Sequence, residues 1–209
     1  QRPQRDRGLS AAGMGMRWPS IARRILAICA VAAMAAALLM VANAHAQADA
    51  PPEPAGYWQG PMNGRVPATI TGGTVIDTQA LAALLERGQA VVIDVFPAPR
   101  RPEHLSSPWR PVPHHDIPRS VWIPGMGSGV ISAAMTDYVK ARLSVLTGGD
   151  RDRPVVVYCR ADCWASWNAA KRVIAEGYRR VFWYPDGIET WQNAGLPTAV
   201  VEPEGPGVQ

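Results

Sequence analysis

Cysteine is scarce in this chain, and a concentrated basic stretch is missing from most of it. Of 209 residues only Cys29, Cys159 and Cys163 carry a thiol, and no CxxCH sequence occurs, which excludes a c-type haem attachment site. Beyond residue 46 there is no run of Lys or Arg, so a nucleic acid or an anionic membrane surface has nothing concentrated to bind. No repeat or low-complexity tract interrupts the body of the chain. Position 1 is not Met, and residues 1–13 have no apolar periodicity. They read as upstream sequence, with Met14 or Met16 the plausible start.

What is present begins with an export pattern. Arg17, Arg23 and Arg24 precede an apolar run from Ile25 to Ala42, and Ala44, His45 and Ala46 make a small-x-small cleavage site. Residues 1–46 are therefore expected to be upstream sequence plus a secretory signal, with a mature start at Gln47 in the periplasm. An uncleaved membrane anchor is the alternative, because the run approaches the roughly 20 residues needed to span a bilayer. Residues 1–46 hold six Arg and one Asp, which leaves the remaining 163 residues with 15 basic and 16 acidic side chains. The basic character belongs to the leader. Cys29 leaves with it, and an exported chain with two thiols permits a disulfide between Cys159 and Cys163.

The remainder suits one domain. Residues 47–72, rich in Pro, Gly and Ala, are expected as a linker or as a strap over the domain anchored at Tyr57 and Trp58. From Gly73 the pattern alternates. Strands are expected at 74–76, 90–95, 120–123, 155–158 and 181–184 from their β-branched and aromatic runs. Helices are expected after Asp77 or Thr78 as far as Gly88, over 132–146, over 166–176, and over 188–194. This predicts an α/β fold with a five-stranded, mostly parallel sheet flanked by helices on both faces. The segment from Phe96 to Pro118 holds seven prolines and is expected as an irregular insert near the Cys159 loop. The domain is expected to run over 73–202, with 203–209 a tail.

Chemistry concentrates where the fourth strand ends. Cys159 follows Val155–Tyr158 and precedes a helix that Ser166 can cap. Backbone N–H groups and the helix dipole at such a junction favour an anion or a thiolate. Cys159 is expected to be the more reactive thiol, beside Arg160, with Cys163 disfavoured beside Asp162. The candidate catalytic residues are Cys159 and Cys163. The candidate anion- or substrate-binding residues are Arg160, Ala161, Asp162, Trp164, Ala165 and Ser166. Asp94, the one charge in its strand, is the candidate structural support. His114, His115 and Asp116 match no compact ligand spacing with the cysteines, so a solvated loop is expected there and no metal. Trp164, Trp167, Trp183 and Trp191 could floor a flat cofactor, but aromatics at such spacing are expected as core.

VVIDV at Val91–Val95, DIPRSVWIPG at Asp116–Gly125, VVVYC at Val155–Cys159 and YPDGIETWQNAGLPT at Tyr184–Thr198 resemble the rhodanese-like family. The resemblance implies that Cys159 is a sulfur-carrying nucleophile held by loop N–H groups. Cys159, Cys163 and Trp164 further resemble a family named for a Cys-Cys-Trp motif and associated with pyrroloquinoline quinone (PQQ)-dependent catabolism. That likeness implies partners among a periplasmic PQQ-dependent dehydrogenase and its cytochrome or transport proteins, with PQQ a functional associate rather than a bound cofactor. The chain departs from the rhodanese-like C-R-x-G-x-R-S loop at Asp162, Cys163 and Trp164, and Phe96 stands where an Arg is common.

Three readings stand at this point. Cys159 takes sulfur from a small donor as a persulfide and passes it on. Alternatively, the two cysteines form a thiol–disulfide or persulfide-resolving pair. In the third, the domain is a non-catalytic accessory module for a PQQ-dependent dehydrogenase system, docking through the Pro-rich insert.

Overall fold

The computed structural model describes residues 25, 27–30, 33–34, 50–88, 90–99, 103–104 and 112–206. Most of the leader, including the cleavage site at 44–46, lies outside the described residues, as do positions 100–102 and 105–111 of the Pro-rich insert. The described leader positions are helical. Residues 50–209 form a separate compact unit, to which everything below refers.

The chain order is β1 (Thr74–Val75), α1 (Thr78–Glu86), β2 (Val91–Asp94), β3 (His115–Asp116), β4 (Ser120–Trp122), α2 (Ala133–Thr147), β5 (Val155–Tyr158), α3 (Trp164–Ala175), β6 (Val181–Tyr184), α4 (Gly187–Asn193) and β7 (Ala199–Val200). Five strands make one sheet in the order β1-β6-β5-β2-β4, all parallel. The expected α/β sheet is the one observed.

Strand β5 is central, and its alternation decides the layers. Val155 and Val157 face a core shared with α2 and α3, where Val139, Leu143, Trp167 and Trp183 pack. Val156 and Tyr158 face the opposite core, with Leu81, Leu84, Ile188 and Trp191 from α1 and α4. A strand covered on both faces has no use for polar side chains, which is why β2, β5 and β6 read as apolar runs. Trp164, Trp167, Trp183 and Trp191 are buried core as expected, each no more than 3% exposed.

Helix starts follow their caps. Asp77 accepts from the Ala80 amide and Ser132 from the Met135 amide, each satisfying an orphan donor of the first turn. Helix α3 departs from expectation. It starts at Trp164, with Cys163 at the cap position, and Ser166 lies inside it. The Ser166 hydroxyl instead donates to the Cys163 carbonyl and accepts from Trp183 Nε1.

Two further segments pack against the domain. The antiparallel pair β3–β7 was not expected, because two-residue strands carry no periodic signal. It leads to Pro203 and Glu204, expected as tail, which pair with Trp122; Arg142 holds Glu204 through two hydrogen bonds of 2.5 and 3.0 Å. Residues 50–72 form a strap over α3. Asn168 exchanges hydrogen bonds with the Trp58 backbone, Lys171 donates to the Pro54 and Ala55 carbonyls, and Arg172 lies 4.0 Å over the Tyr57 ring.

Candidate functional site

Strand β5 delivers Cys159 at its C-terminal end, and the turn of Arg160–Asp162 returns the chain so that Cys163 begins α3. Asp162 takes left-handed geometry, φ 51°, which a short polar side chain tolerates in a tight turn. The turn brings the two sulfurs to 2.8 Å. Both are free thiols, and both are buried, Cys159 completely.

The surroundings of the loop are close-packed backbone. Gly187, at φ 72°, is pressed so tightly against the loop that a Cβ there would lie 2.2 Å from the Arg160 carbonyl carbon. Glycine is the residue that permits this approach. The Ile188 amide donates to the Cys159 carbonyl. From the other side the strap closes over: Asn63 bridges Cys163, the Gly64 amide donates to the Asp162 carbonyl, and the Trp164 amide donates to the Met62 carbonyl. Trp58 stacks on Trp164 at 4.4 Å. The thiol pair thus lies beneath a lid contributed by residues 58–64.

Part of the expected ring of loop amides is diverted to other acceptors. The Ala161 amide is taken by Glu189 Oε2, and the Trp164 amide by the strap. Arg160 is exposed with its Nε 3.8 Å from Glu189, so its charge is directed at a carboxylate rather than at the sulfurs. The amides that reach the sulfurs are those of Arg160 for Cys159 and of Ala165, Ser166 and Arg160 for Cys163.

This reverses the expected order of the thiols. The Cys159 hydrogen bond draws Cys163 down to about 7, helped by the first-turn amides of Ala165 and Ser166. The same hydrogen bond holds Cys159 well above the usual thiol range, and burial and the Asp94 charge push it the same way. The shared hydrogen bond and the first-turn amides favour the thiolate on Cys163 over Cys159. Asp162 faces solvent. What sequence reasoning missed was the placement of Cys163 at the helix N-terminus, because Ser166 looked like the cap.

Asp94 is the residue expected as structural support. It ends β2, paired in register with Tyr158 of β5, and the Val95 amide donates to the Tyr158 carbonyl. The solvated loop expected for His114 and Asp116 is not found. Asp94 and Asp116 are wholly buried, and the His114 side chain is 14% exposed. Its ring packs between Phe96 and Trp122, with centroids 5.0 and 4.1 Å away. His115, by contrast, is exposed. Neither cysteine belongs to this group of ligand-type atoms.

The rhodanese-like domain family is matched over residues 77–194, more than half of the chain, and the chain belongs to that family. A sulfurtransferase of Allochromatium vinosum is 42% identical over 55 residues, 26% of this chain and 49% of that protein. The chain thus spans about half the length of the curated relative it matches. Among solved structures, the rhodanese-like domain of an Anabaena protein is 19% identical over 60% of this chain and 78% of its own, with a TM-score of 0.41. The polysulfide-sulfur transferase homodimer of Wolinella succinogenes is 19% identical over 66% of this chain and 84% of its own, with a TM-score of 0.40.

Proposed function

We propose that the chain carries sulfur on Cys159 and that Cys163 resolves the resulting persulfide. The observation that supports this most is the 2.8 Å contact between the two sulfurs at the end of β5. The Cys163 thiolate takes the Cys159 proton. Cys159 then attacks the sulfane sulfur of a donor such as thiosulfate, and sulfite leaves with the electron pair of the broken S–S bond. Cys163 next attacks Cys159 Sγ. A Sγ–Sγ bond forms, the outer sulfur departs with its electron pair, and the proton held by Cys163 leaves on it as hydrosulfide. Two thiols have become one disulfide and one sulfane sulfur has become sulfide; a dithiol reductant in the compartment restores the pair.

Mass analysis of the protein after thiosulfate or polysulfide treatment tests the order of events. Cys163→Ser should retain one added sulfur atom, whereas the wild-type chain should lose two hydrogens and release sulfide. Cys159→Ser should do neither. Unmodified mass in all three would reject sulfur transfer and favour the accessory module.

The compartment belongs to the same proposal. The Ala44-His45-Ala46 pattern supports export to the periplasm, and Cys159, Cys163 and Trp164 support association with PQQ-dependent alcohol catabolism beside a dehydrogenase or its cytochrome and transport partners. Sequencing the N-terminus from fractionated cells should find Gln47 in the periplasm; a leader still attached in the membrane fraction would replace this with an anchor. Deleting the gene should slow growth on alcohols, and unimpaired growth would remove the PQQ association.

A further inference from the structure

Outside the thiol pair, the most unbalanced chemistry in the described chain is the cluster of Asp94, His114 and Asp116. Two separate stretches build it: the end of β2, and β3 with the residue before it, pinned by β7. His114 Nε2 lies 2.7 Å from Asp94 Oδ2 and 2.7 Å from Asp116 Oδ1, and a single N–H can serve only one of them. The hydrogen bond goes to Asp94, whose other oxygen accepts from the Phe96 amide. Asp116 Oδ1 is left with only the second contact of that same nitrogen, and Oδ2 has no donor, although the side chain is fully buried.

A buried carboxylate left without a partner is costly, and two carboxylates against one imidazole leave a surplus negative charge even when the ring is protonated. A cation resolves both problems at once. The donor atoms of the three residues all lie within 4.8 Å of one another, and a divalent ion replacing the Nε2 proton would draw on the imidazole nitrogen and one oxygen from each carboxylate. One nitrogen with two oxygens is a mixed set suited to first-row transition ions, and to Zn2+ in particular. The surroundings fit such a site: the Phe96 amide orients Asp94, and the rings of Phe96 and Trp122 hold the imidazole.

We propose that Asp94, His114 and Asp116 are the protein ligands of a divalent transition-metal ion, with Zn2+ the best match, at the strand edge beside the thiol pair. Thiols bind zinc themselves, so the test uses the full chain carrying Cys159→Ser and Cys163→Ser, stripped with a chelator and titrated with zinc chloride by calorimetry. One zinc per chain is expected, with a rise in the thermal unfolding midpoint. Adding Asp116→Asn, which keeps the shape but removes a charge, should weaken binding at least about a hundredfold, and His114→Gln should do the same. If Asp116→Asn does not fold, His114→Gln decides. The proposal is overturned if the cysteine-free chain takes up no stoichiometric zinc. It is equally overturned if uptake is unchanged in the folded cluster variants, which would leave a shared proton as the occupant.

Discussion

Two buried polar groups lie side by side at the C-terminal edge of one sheet, and they are built by opposite means. The thiol pair comes from a single turn of chain, with its sulfurs four residues apart in sequence and sealed by a strap. The carboxylate–imidazole cluster collects residues 94, 114 and 116 and is fixed by a strand pair that closes only when residues 199–200 arrive. The first stabilises charge with backbone amides at a helix start, the second holds more charge than its protein partners neutralise. The parallel register of β2 and β5 links them, since it sets Asp94 beside Tyr158 and so lets the Asp94 charge oppose ionisation of Cys159. A negative neighbour is a reason for the thiolate to sit on Cys163.

The comparison breaks first if the thiol pair does not depend on the packing beneath it. Trp167 is fully buried under α3, and Trp167→Ala should cost about 3–5 kcal/mol in urea unfolding. A loss below 1 kcal/mol would mean that α3 is not held by that core. Next comes Gly187→Ala, which forces a left-handed residue with a side chain against the Arg160 backbone. Strain of that kind costs about 1–3 kcal/mol. Sulfide release should fall much more than sulfur loading, because the variant displaces one sulfur from the other; equal losses would show that alignment is not what limits release.

A smaller effect separates shielding from chemistry. Trp58→Ala removes the ring stacked on Trp164, worth about 0.5–1.5 kcal/mol, and alkylation of the cysteines should quicken roughly tenfold as the strap opens more often. No change in alkylation rate would show that the strap is not the barrier. The mildest test is a pH profile. With Cys163 drawn down to about 7, its thiolate persists above that pH, and alkylation should fade as the pH drops through it. Cys159→Ala removes the chief cause of that depression, so the midpoint should move upward; an unmoved midpoint would assign the shift to the helix amides alone.

The elements that were legible in the sequence are those whose cause is local. Buried strands such as Val155–Tyr158 announce themselves as β-branched runs, and Asp77 and Ser132 announce helix starts as caps. Cys159 and Cys163 were legible as a pair because a separation of four residues lets a turn bring them within disulfide reach. Their protonation order was not legible. It turned on where α3 begins, and Ser166 offers the same capping oxygen whether it caps the helix or, as here, bonds the Cys163 carbonyl from within the first turn.

By itself, then, the chain determined an α/β alternation, a thiol pair at a strand end, and a Pro-rich break that regular structure could not cross. Tertiary structure alone decided that residues 58–64 cover the thiols, that β7 returns to pair with β3, and that His114 meets two buried carboxylates. The physical reason is range. Propensity, capping and turn strain act over a few residues, whereas burial and charge pairing depend on which distant segments the sheet order brings together. No local pattern links Asp94 to Asp116 across a proline-rich insert.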